Sequence, residues 1–130
     1  AGMSAADYSE NDLENLLQSF FKRQGIEYLE TRIPFWAERT GLVPSRIKYN
    51  RATTRWGSCN SKKQINMNWK LICHAPHLID YVIVHELCHL RHMNHSDQFW
   101  DLVGSFMPEY LVYEKILDEQ TTVSRFLNAP

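Results

Sequence analysis

No apolar run in the chain approaches the roughly 18 residues needed for a membrane-crossing helix, which argues against a helical span and a membrane partner. Charge of one sign is also missing. With 14 Lys and Arg against 15 Asp and Glu, the formal net charge is -1, so no overall field draws the chain to nucleic acid or anionic lipid. Cysteine is scarce: Cys59, Cys73 and Cys88 form an odd set with no C-x-x-C pair. That pattern argues against a disulfide framework or a zinc ribbon and for a reducing, cytoplasmic setting. The segment Ala1–Ala6 lacks the basic flank and apolar core of a secretory signal. Repeats, low-complexity tracts and linkers rich in Gly or Pro are absent too, so 130 residues read as one domain with one core.

Against these absences stands His85-Glu86-Leu87-Cys88-His89, with His95 six residues further on. On a helix, positions i and i+4 lie one above the other, so the rings of His85 and His89 can reach one ion. Glu86, beside the first ligand, stands where a zinc peptidase keeps its general base. An open catalytic zinc site takes three protein ligands and one water. If the helix stops soon after His89, the chain can return through Arg91-His92-Met93-Asn94 and deliver His95 as the third ligand. Ser96 then reads as the N-cap of the next helix. The chemistry this pattern predicts is hydrolysis by a zinc-activated water, with Glu86 as base and no Ser or Cys nucleophile.

Periodicity places the rest. Leu13, Leu16, Leu17, Phe20 and Phe21 follow an amphipathic helical rule, and that helix is expected to end near Gly25. A second helix is expected over residues 27–40, with Pro34 as a kink or new start, Gly41 as the stop, and Leu29, Ile33 and Trp36 as its buried stripe. Strand-like alternation follows through Ile47 and Tyr49, Thr53 and Thr54, then Ile65, Met67 and Trp69, with a turn at residues 60–63. This predicts an α+β fold with a small, mostly antiparallel three-stranded sheet. Pro76 suits the first turn of the motif helix, which should reach about Leu90. Phe99, Trp100, Val103, Phe106 and Met107 mark the next helix, and a short last one covers residues 110–117. Residues 1–10 read as a disordered tail or tag, 11–118 as the domain and 119–130 as a C-terminal tail.

Residues 51–59, Arg51-Ala52-Thr53-Thr54-Arg55-Trp56-Gly57-Ser58-Cys59, are the second unusual stretch. An edge strand there can bind extended substrate through its backbone, or Arg51 and Arg55 can grip a phosphate. Candidate oxyanion donors are Arg55, Tyr81, Arg91 and Tyr110. Asn68, Asp97 and Glu109 are candidate outer partners of the histidines.

Thr54–Cys59, Ile65–Trp69, Ile79–Leu90, Asn94-His95-Ser96, Phe99-Trp100 and Met107–Tyr110 together resemble the YgjP-like metallopeptidase domain family over roughly residues 27–118. The resemblance implies a compact zincin-like fold with one zinc ion on His85, His89 and His95, and Glu86 as catalytic residue. It implies a peptide or protein substrate. A more distant likeness to SprT-like proteases, which act on proteins attached to DNA, keeps a nucleic-acid partner open despite the near-neutral charge. Two other functions fit the residues: a metal-dependent nucleotide or phosphoanhydride hydrolase using Arg51 and Arg55, and a non-catalytic binding module stabilised by zinc.

Overall fold

The computed structural model describes residues 9–51 and 55–128, with side chains as far as residue 119. The element order is α1 (Glu10–Thr40), β1 (Arg46–Asn50), β2 (Gly57–Cys59), β3 (Gln64–Asn68), a 3-10 turn (Trp69–Cys73), α2 (Pro76–Cys88), α3 (Asp97–Phe106) and α4 (Tyr110–Asn128). The α+β class follows as expected.

Where two N-terminal helices were expected, the chain forms one of 31 residues. A capping box starts it: Ser9 Oγ accepts from the Asp12 amide and the Asp12 carboxylate accepts from the Ser9 amide. Gly25 does not end it. A β-carbon there would lie 2.2 Å from the Trp69 carbonyl oxygen, so this glycine lets α1 press on the backbone of the 3-10 turn. Gly41, with φ 72°, is the stop. Leu29, Ile33 and Trp36 are buried as predicted, but the earlier stripe faces outward, with Leu17 57% exposed. The sequence period marks one apolar face; it does not say whether anything covers that face.

The sheet is mixed, not mostly antiparallel. Its order is β1-β3-β2, with β3 antiparallel to β2 and parallel to β1. The turn at residues 60–63 is tight: Asn60 Oδ1 accepts from the Lys62 and Gln64 amides, which forces β2 and β3 to be neighbours. The longer connection from β1 to β2 then leaves a place between them, and β3 fills it. Thr53 and Thr54 lie outside the described residues.

Ile65 and Met67 of β3 point to the core, as does almost all of α2, from Leu78 through Leu87. A helix apolar on all sides belongs in the middle of a fold, and α2 touches α1, β2, α3 and α4. A two-pronged ion pair from Arg32 to Asp80, at 3.1 and 2.6 Å, fixes α1 against it. The last element is a helix of 19 residues, longer than the one expected over residues 110–117. No helix among the described residues is long and apolar enough to cross a membrane.

Candidate metal centre

Pro76 at the first helical position opens α2, and the helix runs just far enough to place His85 and His89 one turn apart near its C-terminal end. His89 is itself the C-cap, so the chain turns away at once through residues 90–94. Ser96 then caps α3, its Oγ accepting from the Phe99 amide at 3.3 Å, and this fixes His95 in the return.

The three rings converge. His89 Nε2 lies 3.2 Å from His95 Nε2, which lies 3.3 Å from His85 Nε2. For zinc–nitrogen bonds of about 2.0–2.1 Å, corners of a tetrahedron are about 3.3–3.4 Å apart. Two of the three separations match that edge and all three donor atoms lie within 4.8 Å of one another, so the rings can share one ion; among the described residues these are the three His, Cys or acidic groups that cluster so.

The opposite ring nitrogens are also occupied. His89 Nδ1 donates to the His92 carbonyl oxygen at 3.0 Å, and His85 Nδ1 meets the Tyr81 hydroxyl at 3.4 Å. The carbonyl contact leaves His89 Nε2 free to ligate, and the tyrosine contact does the same for His85 when the hydroxyl oxygen accepts from Nδ1, the usual way an outer partner sets a ligand's tautomer. Asn68, Asp97 and Glu109 stand elsewhere: Asn68 caps the 3-10 turn, Asp97 opens α3, and Glu109 accepts from Tyr113. Tyr81, four residues before His85, sits at helical contact spacing, and that was the signal available in the sequence.

Aromatic rings hold the imidazoles in place. Phe99, fully buried, stacks on His89 with centroids 4.3 Å apart and a 20° interplanar angle, and meets His85 and His95 edge-on. Trp100 stacks on His95, and Tyr110 stacks on Trp100.

Glu86 is 6% exposed and lines the same cleft as the three histidines, with Gly57, Ser58, Cys59 and Met93, around a cavity of about 240 Å³. Gly57 is needed for this approach. A β-carbon there would come within 2.9 Å of Glu86 Cγ and 3.1 Å of Oε2. Burial raises the Glu86 carboxyl to about 7, opposed by the positive charge of Arg55. Burial also pushes Cys59 up to about 11, helped by Glu86, so the cleft thiol is not a thiolate nucleophile.

The two arginines are divided. Arg55 is close enough to act on Glu86, whereas Arg51 donates to Gln18 Oε1 at 2.9 Å and lines a groove between α1 and β1.

His85 is lowered to about 3 by burial first and by the charges of His89 and His95 second. Unfolded, it would bind a proton near pH 6.5; folded, it refuses that proton down to about 3. The unfolded state thus holds more protons in this window, and stability of the metal-free protein is expected to fall as pH drops through it. Urea midpoints in chelator at pH 7, 5.5 and 4 check this, and His85→Asn should flatten the slope.

No curated protein and no solved structure is matched by the chain. The family model described as YgjP-like, metallopeptidase domain, matches residues 2–120, a span that takes in the long helix, the sheet edge and every residue of the histidine cluster. With the α+β architecture and a trio of imidazoles arranged to hold a metal ion, the chain belongs to the YgjP-like metallopeptidase domain family.

Proposed function

We propose that the protein is a zinc-dependent peptidase that cleaves peptide bonds in the cleft between β2 and α2, with Glu86 as general base. The observation that carries this reading is the convergence of three Nε2 atoms at 3.2 and 3.3 Å beside a buried carboxylate lining the same cavity. Three imidazoles with donor atoms within 4.8 Å of one another suit zinc, and a set of three rather than four protein donors suits a catalytic site rather than a closed structural one. When bound, such an ion brings the pKa of a water at its remaining position toward neutrality and polarises the carbonyl under attack. Glu86 takes the proton from the attacking water and returns it to the departing amine.

Substrate recognition follows from the sheet. β2 is an edge strand, and Gly57, Ser58 and Cys59 all line the cleft. An extended peptide laid beside it can pair through main-chain groups, which favours unfolded segments over folded ones. A nucleotide hydrolase would need Arg51 and Arg55 to meet on one phosphate. Arg51 faces α1 instead, so no geometry favours that alternative.

Chelation is expected to abolish cleavage of a labelled, unfolded protein, and one equivalent of zinc should restore it. Cleavage indifferent to chelator, or phosphate release from nucleotides without peptide cleavage, would overturn the reading.

A further inference from the structure

A second cavity, of about 230 Å³, shares Gly57, His85 and Glu86 with the first. It is several times the roughly 30 Å³ of a water molecule, room for a long side chain. Its walls are of two kinds. Trp56, Val82 and Leu117 supply apolar surface, while Glu114 and Asp118, one turn apart on α4, supply carboxylates. Neither acid has a cation within ion-pairing distance among the described residues, where the one ion pair is Arg32 with Asp80. Glu86, 6% exposed, adds a third carboxylate on the shared wall and has no hydrogen-bond partner among the described residues.

The charge of Arg55 acts on Glu86, but Glu114 and Asp118 repel each other and neither is ion-paired among the described residues, and a cavity that holds them beside apolar walls is complementary to a cation with a hydrocarbon stem. Lysine and arginine are such groups. Trp56 can also receive a cation on its ring face.

Resting on the peptidase reading, we propose that this cavity is a specificity pocket for a lysine or arginine side chain next to the scissile bond, its stem against Trp56, Val82 and Leu117 and its charge between Glu114 and Asp118. The backbone pairing offered by β2 cannot discriminate side chains; the pocket supplies that discrimination. It also fixes the direction of charge preference. Acidic side chains entering the same space meet two carboxylates and are rejected.

The test uses zinc-loaded Glu86→Gln protein and labelled Ala/Ser/Gly decapeptides carrying a single Arg, Leu or Glu, read by fluorescence anisotropy. The Arg peptide is expected to bind at least tenfold more tightly than the Leu peptide, and the Glu peptide most weakly. Glu114→Gln with Asp118→Asn should collapse the Arg-to-Glu difference while zinc content stays at one per chain. Wild-type cleavage of an unfolded protein, sequenced at the product ends, should show Lys or Arg enriched at one fixed position beside the cut. Peptides that bind or are cut without basic preference overturn the pocket and leave the peptidase reading standing. Absence of both peptide binding and cleavage overturns the two together.

Discussion

Glu86→Gln is expected to lower peptide hydrolysis by about 10²–10⁴-fold while the protein keeps its metal and its fold. The side chains are nearly isosteric, so the tight fit of Glu86 against Gly57, where even one methyl would come within 2.9 Å of Cγ, is preserved. No partner is stranded, because among the described residues the carboxylate makes no hydrogen bond or ion pair. Burial already pushes this carboxyl toward its neutral form, so a neutral amide costs no stability, and the melting temperature should hold or rise slightly. The histidine nitrogens do not contact Glu86 in forming their cluster, so zinc content should stay at one per chain. Only the capacity to take and return a proton is lost. Turnover, zinc stoichiometry and thermal midpoint measured on one preparation separate the possibilities. Undiminished turnover would mean that another group is the base, and loss of zinc would recast Glu86 as a structural support of the site.

The features that were legible in the sequence are those fixed by neighbours along the chain. His85 and His89 fall on one helix face because the period demands it. Pro76 starts that helix, and Ser96 caps the next, so the return of His95 is set by local signals at both ends of a short loop. Features set by remote contacts were not legible. Gly25 carries the sequence mark of a helix stop, and only the carbonyl of Trp69, far along the chain, shows that it serves close packing. The β1-β3-β2 order depends on which strand fills a vacant place, something alternation within each strand does not encode. Arg51 and Arg55 look equivalent in sequence, yet Arg51 pairs with Gln18 while the charge of Arg55 acts on Glu86. The acidic pair on α4 meets Trp56 and Tyr81 only through the packing of α4 on α2.

Phe99→Ala tests whether that packing prepares the metal site or merely surrounds it. Phe99 is fully buried and touches the rings of His85, His89 and His95, stacking on His89 at 4.3 Å. Truncating a buried phenylalanine costs about 3–5 kcal/mol through lost transfer energy and the cavity left behind. For a domain of this size the melting temperature of the metal-free protein should fall by roughly 10–20 °C. A second effect follows from geometry. His89 would keep its bond to the His92 carbonyl and His85 its contact with Tyr81, but each ring would lose the surface that fixes its tilt. Loosened ligands must be ordered when the ion binds, so zinc affinity should weaken by about 10–100-fold, the range seen when outer partners of ligands are removed. Phe99→Leu, which refills most of the volume but presents no flat face, should recover much of the stability and less of the affinity. Chelator competition and denaturant midpoints, each with and without zinc, read the two effects separately. If Phe99→Ala destabilises the protein yet leaves zinc affinity intact, the rings are set by the helix and loop backbone alone, and the aromatic packing serves only the core.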